Sequence, residues 1–410
     1  MVVNFVLSDR LDRQFTLQGE RGELISSALH RHHIPPEAVI LRVDGRLRDV
    51  YTTYLEQGQD IHALMVRAYL LPELLGLVGI WPGSMPLTDS DPYYSKLLLW
   101  FNEDGECETK MFSTGSAAEF AKQVERQFID GIQRISLIRE GNRLGLALSG
   151  GRDSLALCYL LMRLRDTLSG VELSSATVES IAPPSDVVFA SEVAARFDIP
   201  HHKISEDEAI AHYRFNRNVY NVLLEIKNRR GRAVAMYVGH HIIRTLIENH
   251  FGNQDISVLA YGAHQEDLFA AMLRSFFNGH DYEGPFRKQH GKFTLINPLW
   301  SLTKKEITTY LEVIEPRHNT QGSPTEFDRG APSRDIFYLI ADTVQTLWPG
   351  AANHLFLNHS EQSERVSAVA QFKACSWCRA QIDVSTAGPM PEDDICDACT
   401  LLRDLKLVKL

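Results

Sequence analysis

The chain has 410 residues, 44% of them hydrophobic and 23% charged, a balance that fits a globular protein of two or three domains and excludes a low-complexity one. A net charge of −10 argues against a broadly basic nucleic-acid-binding surface, leaving room only for a local patch. Six cysteines are too few for a disulfide framework, and four of them stand in two CxxC pairs, which favours metal in a reducing compartment.

The start, Met1-Val2-Val3-Asn4-Phe5, has neither a basic n-region nor a long apolar stretch. The apolar run over 70–80 is broken by Pro72 and Glu73 and is too short to span a bilayer, so the expectation is a cytoplasmic protein with no membrane partner. Residues 2–7 read as a strand, 14–17 as its partner, and 22–31 as a helix carrying Leu24, Ile25, Ala28 and Leu29. A strand over 38–43, an Asp44-Gly45 turn and a closing strand over 60–69 complete a ββαββ order. That order resembles the β-grasp fold of ubiquitin-like sulfur carriers, and the segment IPPEAVILRVDG over 34–45 is similar to their passage from helix to strand. Such carriers end in Gly-Gly. Here Arg67-Ala68-Tyr69-Leu70-Leu71 follows, which points away from carrier chemistry and towards docking, regulation or a purely structural duty.

Pro82-Gly83, Pro86 and Asp89-Ser90-Asp91-Pro92 mark a linker. Residues 97–101 and the Asn102-Glu103-Asp104-Gly105-Glu106 turn read as a strand and hairpin, and 120–138 as a helix with Phe120, Val124, Phe128, Ile132 and Ile135 on one face.

The chain then runs Leu144-Gly145-Leu146-Ala147-Leu148-Ser149-Gly150-Gly151-Arg152-Asp153-Ser154 and on into a long apolar-periodic segment, which reads as strand, small-residue loop and helix. Ser149, Gly150 and Gly151 put little bulk over the backbone, so successive N–H groups can converge on a phosphate at the positive end of the helix, helped by the two serine hydroxyls. Neither the Walker pattern nor GxGxxG is present. An ordinary glycine-rich turn is the bland alternative. The stretch resembles the SGGxDS signature of PP-loop ATP pyrophosphatases, which cleave ATP between its α and β phosphates and transfer AMP to a substrate oxygen.

Alternation continues with strands over 174–179 and 202–204 and a helix over 186–197, signalling a doubly wound parallel α/β sheet whose ligands sit at the C-terminal strand ends. His201 and His202 read as solvent-facing or packing residues. A strand over 256–262 leads through Ala263-His264-Gln265-Glu266-Asp267 into a helix over 268–277. Glu266 and Asp267 are either ligands of a Mg²⁺ that neutralises the leaving pyrophosphate or simple helix caps. A strand over 292–299 and a capping box opening at Thr303 follow, with Lys304 and Lys305 expected to be exposed unless one reaches the phosphates.

Cys375-Ser376-Trp377-Cys378 and Cys396-Asp397-Ala398-Cys399 form two chelating turns, the arrangement of a tetrahedral Cys₄ zinc site, with an iron–sulfur cluster as the alternative. The second turn and its continuation to Leu405 look like the C-terminal zinc ribbon of the tRNA 2-thiouridine synthetases, a PP-loop family. Pro298-Leu299, Lys305-Glu306, the segment 323–330 and Ser333-Arg334-Asp335 add to the likeness.

The resemblance implies a PP-loop (HUP-like) fold that binds pyrophosphate through Ser149, Gly150, Gly151, Arg152, Asp153 and Ser154. It implies Asp153 beside the reacting phosphate, Glu266 and Asp267 at the family's acidic pair, and ATP, Mg²⁺ and Zn²⁺ (on Cys375, Cys378, Cys396 and Cys399) as cofactors. The departures are specific. Arg152 replaces a lysine and Ala263 a histidine. Ala235, Val238 and Thr320 stand where the family's catalytic cluster takes cysteines, so no cluster is ligated there in that way. Cys107 is the one cysteine near the family's N-terminal knuckle, and Cys158 lies on an apolar helix pattern and reads as core.

The expected organisation is a ubiquitin-like domain over 1–71, a linker over 72–96, a PP-loop domain over 97–365 and a zinc ribbon over 366–410. The expected function is ATP-dependent adenylation of a carbonyl or carboxyl oxygen for replacement, on a nucleobase (free or in tRNA), a protein or a small molecule. A sulfur carrier or other protein is expected to dock on the β-grasp domain, and a homodimer is left open. The alternatives are a nitrogen ligase resembling 7-cyano-7-deazaguanine synthase and a non-catalytic nucleotide-binding module.

Overall fold

The computed structural model describes residues 1–8, 14–32, 34, 36–65, 93–101, 107–167, 170–277, 284–317, 336–348, 350–357, 372–383 and 394–409. Most of the expected linker, the family-like stretches over 323–335 and Thr320 lie outside them. The chain divides into two compact units: Met1–Phe128 with His264–Arg274 and Ser301–Asn358, and Ile129–Ala263 with Ser275–Trp300 and His359–Leu410.

The first unit opens on a five-stranded sheet: β1 (Val2–Ser8), β2 (Gln14–Glu20), β3 (Val39–Val43), β4 (Arg46–Arg48) and β5 (Ile61–Met65), in the order β2-β1-β5-β3-β4. The β1–β5 pair is parallel and the others are antiparallel. Alternation along β1 points Val3, Phe5 and Leu7 into the core, where they meet Ile25, Ala28 and Leu29 of helix Ile25–Arg31. Each large apolar side chain so buried contributes about 1.5–3 kcal/mol. The helix starts three residues later than its spacing suggests because Leu24 stays extended, bridged to Tyr54. The extra strand β4 follows from the Asp44-Gly45 turn, whose two residues both take positive φ and fold the chain straight back into a hairpin.

Helix Lys304–Ile314 carries the expected capping box, Thr303 with Glu306. Its lysines are not exposed: Lys304 and Lys305 are both buried. Lys305 Nζ donates to the Pro36 carbonyl at 3.3 Å and lies 3.7 Å from Glu37, which in turn accepts the Tyr51 hydroxyl at 2.8 Å. Strands β6 (Tyr94–Phe101) and β7 (Cys107–Thr114) form a separate antiparallel pair, from which Lys96 bridges Glu306 at 2.8 Å, and Arg42 of β3 pairs with Glu312. These partly or wholly buried pairs fasten the N-terminal module and the β6–β7 pair to this helix, a use of lysine that its position at a helix start does not announce.

The second unit is built on β8 (Arg143–Ala147), β9 (Glu172–Val178), β10 (His201–Ile204), β11 (Val258–Ala260), β12 (Arg287–His290) and β13 (Phe293–Ile296), ordered β10-β9-β8-β11-β13-β12. Five strands are parallel and β12 is an antiparallel edge. The chain winds outward from β8 to β10, then returns to the other side of β8 with β11. The strand order therefore reverses between β8 and β11, the switch point at which such sheets open a crevice. Between β10 and β11 stand helices Glu206–Tyr213, Val219–Arg230 and Arg232–Gly252. Among the described residues no helix is long and apolar enough to cross a membrane.

Candidate functional site

The loop after β8 occupies that switch point. Leu148 prolongs the ladder by donating to Ala176 at 2.9 Å, and the backbone then turns through Gly150 at φ +79, where an L side chain costs about 1–2 kcal/mol. Space enforces the same choice, since a Cβ on Gly150 would stand 1.9 Å from the Asp186 carbonyl oxygen. Ser149 Oγ lies 3.0 Å from Ser154 Oγ and accepts the Gly151 N–H at 3.3 Å, while Ser154 Oγ donates to the Gly151 carbonyl at 3.0 Å. Gly151 caps helix Arg152–Arg165 and, as a glycine, brings no side-chain cap of its own to the positive end of the helix, an end that favours anions. Arg152 Nε donates to Asp153 Oδ1 at 2.9 Å, which fixes the one carboxylate in the loop. From β11, Gly262 presses in: a Cβ there would lie 3.0 Å from Asp153 C and Ser154 N. The structure thus brings Ser149, Gly150, Gly151, Arg152, Asp153 and Ser154 into one turn. It adds two walls, Asp186 and Gly262, that motif reading passed over.

Glu266 and Asp267 fall in the first unit, within the first turn of helix Gln265–Phe277 rather than ahead of it. They differ in surroundings. Glu266 is fully buried, accepts the backbone N–H of Lys304 at 3.0 Å and lies 3.0 Å from His264 Nδ1. Asp267 keeps 29% of its side chain exposed, 3.2 Å from His264 Nε2. Only Asp267 has the water access that a hydrated Mg²⁺ needs.

The four paired cysteines are all buried, and their sulfurs lie within 4.8 Å of one another. Cys378 Sγ and Cys396 Sγ are 3.7 Å apart, and the Cys396 N–H donates to Cys375 Sγ at 3.3 Å. Hydrogen bonding among the four thiols pulls Cys375 and Cys396 down and pushes Cys378 and Cys399 up. Four soft ligands at this spacing fit a tetrahedral metal. Sequence reading missed the neighbours. His241 Nε2, on helix Arg232–Gly252, lies 3.6 Å from both Cys378 Sγ and Cys396 Sγ, and His212 Nε2 lies 2.9 Å from the Cys378 carbonyl oxygen. No spacing rule links residues 137 and 155 positions apart in the chain.

His201 sits 2.9 Å from Ser175 Oγ, and burial pushes its imidazole down to about 4. His202 stacks on His250 at 4.4 Å, so both behave as packing residues. Cys158 is core, its thiol pushed up to about 12 by burial. Ala235 and Val238 are likewise buried.

Residues 118–321 match the family described as the PP-loop domain, and the chain carries such a domain. Among curated relatives, tRNA(Ile)-lysidine synthase of Persephonella marina is 28% identical over 52% of this chain and 44% of its own length. The tRNA-cytidine(32) 2-sulfurtransferase of Xylella fastidiosa is 23% identical over 48% of this chain and 63% of its own length. The chain thus spans about half the length of the curated relatives it matches. Among solved structures, the U34-tRNA thiolase NcsA from Methanococcus maripaludis with its [4Fe-4S] cluster aligns with a TM-score of 0.52 at 18% identity, covering 72% of this chain and 90% of that one, a likeness of fold.

Proposed function

We propose that this PP-loop chain is an ATP-dependent, AMP- and pyrophosphate-forming enzyme that adenylates a carbonyl or carboxyl oxygen for replacement. The observation that carries the reading is the side-chain-free turn at Gly150, walled by Asp186 and Gly262 at the sheet's switch point. It is shaped for the β and γ phosphates. The acceptor oxygen then attacks the α phosphorus in line, an O–P bond forms, and pyrophosphate leaves with the electron pair of the broken bond. Asp153, held by Arg152, borders the reacting phosphate. Asp267, with Glu266 holding its helix start, would be the carboxylate that takes Mg²⁺, whose charge would offset that of the leaving pyrophosphate. A second nucleophile then displaces AMP from the activated carbon. We read the substrate as a nucleobase carbonyl, as the relatives named for tRNA modification suggest.

Apolar Ala235 and Val238 favour a reaction without a cluster at that helix. Sulfur from a carrier, or a nitrogen nucleophile as in the lysidine synthase relative, meets that condition. We read residues 1–71 as a β-grasp domain docked in cis through Lys305, rather than as a carrier, 72–96 as linker, 97–365 as the PP-loop domain and 366–410 as a zinc ribbon. The Cys₄ group would hold Zn²⁺ through Cys375, Cys378, Cys396 and Cys399, a structural ion that closes the ribbon. The test is α-³²P-labelled ATP screened against tRNA, free nucleobases and carboxyl substrates, with sulfide or ammonia as nucleophile. AMP formation that Asp153→Ala abolishes is the expected result. No AMP in any mixture, with no uptake of ATP by calorimetry, overturns the reading.

A further inference from the structure

The chain as a whole is acidic, yet two stretches that meet in the second unit are not. Residues 214–232 and 403–409 hold nine Lys and Arg against two carboxylates, Glu225 and Asp404. Backbone contacts make them one surface. Lys409 N–H donates to the Arg214 carbonyl at 2.7 Å, Asn216 donates to the Lys406 carbonyl at 2.8 Å, and Phe215 bridges Val408. Arg229 reaches the Leu405 carbonyl at 3.4 Å. Arg214, Arg217, Arg229, Arg230, Lys406 and Lys409 are all exposed. Glu225 is already shared, 2.6 Å from Arg229 and 4.0 Å from Arg217, and the nearby Glu206 accepts the Val219 N–H.

We propose that this face, where helix Val219–Arg230 meets the C-terminal tail, binds the phosphate backbone of an RNA. The inference rests on the nucleobase reading above and gives that substrate a carrier polymer. Concentrating like charges is self-repulsive, and a polyanion relieves the repulsion with release of its counterions. Four of the six exposed cations are arginines, whose planar forks match phosphate oxygens in pairs.

The test uses the full-length protein with its metal and a fluorescein-labelled, tRNA-sized folded RNA, followed by anisotropy between about 50 and 300 mM KCl. Wild type is expected to bind with steep salt dependence. Arg230→Gln/Lys406→Gln/Lys409→Gln, which removes no side-chain hydrogen bond described above, is expected to lower the log–log salt slope by about two to three and affinity at least about tenfold. Arg230→Gln alone is expected to lower the slope by about 0.7–0.9, Arg230→Lys to restore it, and Arg21→Gln/Arg143→Gln to leave it unchanged. An unchanged melting temperature shows that the variants fold. No binding by wild type, an unaltered slope in the triple variant, or equal competition by polyglutamate overturns the proposal. The two readings fail separately: AMP formed on a free nucleobase with no RNA bound refutes the surface alone, whereas RNA bound at this face with no AMP under any condition refutes the enzyme alone.

Discussion

Replacing Gly150 by alanine tests the phosphate loop with a single methyl group. At φ +79 the new side chain costs about 1–2 kcal/mol in backbone strain. Its Cβ would also start 1.9 Å from the Asp186 carbonyl oxygen, so one of two backbone segments must retreat by about 1.5 Å, and overpacking of that kind adds about 1–3 kcal/mol. A displacement of that size in a cradle that positions phosphates costs about a hundredfold in function. Gly151 is the internal control: its φ of −72 is open to any residue, and a Cβ there meets only Ser149 Oγ at 3.4 Å. Titration calorimetry with Mg·ATP, alongside thermal melting, should show Gly150→Ala weakened about a hundredfold and Gly151→Ala within about threefold of wild type. Wild-type affinity and stability in Gly150→Ala, or equal losses in both variants, would refute the argument that Asp186 and the turn together shape the nest.

Removing His241 takes away the side chain nearest the Cys378–Cys396 edge, so His241→Ala should lose metal to a chelator about 10–100 times more readily, while the sulfur-to-cobalt charge-transfer band of the Co²⁺-loaded protein keeps its four-thiolate intensity. Lys305→Met strands Glu37 without its buried cation and should destabilise the protein by about 3–5 kcal/mol, with Glu37→Gln/Lys305→Met recovering much of the loss in denaturant melts. His201 is held near 4, below its ordinary value of 6.5, so the unfolded chain binds the extra proton across that window. Stability is therefore complete above about pH 6.5 and falls as pH drops towards about 4. A His201→Gln variant should flatten that stretch of the stability–pH curve.

Much of the loop could be read from one dimension because its requirements are local. A strand, two glycines, two serines and a helix start are each dictated by neighbours along the chain, and so are the two chelating turns at Cys375 and Cys396. The sheet modules followed from alternation and turn residues, with boundaries shifted by up to three residues where Leu24 stayed extended or where 298–301 coiled into a 3₁₀ turn. The three helices between 206 and 252 went unread. Val219–Arg230 in fact buries one stripe, Val219, Val222, Leu223 and Ile226, whereas Arg232–Gly252 buries residues on several faces, where periodicity loses its contrast.

Composition and local pattern determined, before any coordinates, the class of the sheet, the small-residue turn after β8 and the sulfur-rich knuckle, since each depends on residues within a few positions of one another. Tertiary structure alone decided which carboxylate is accessible, Asp267 rather than Glu266, that Lys305 is buried against Glu37, and that His241 stands over two cysteines. It also gathered scattered arginines and lysines onto one face of an acidic chain. Those facts depend on desolvation and on distances between segments far apart in sequence, and neither is encoded in the spacing of residues along the chain.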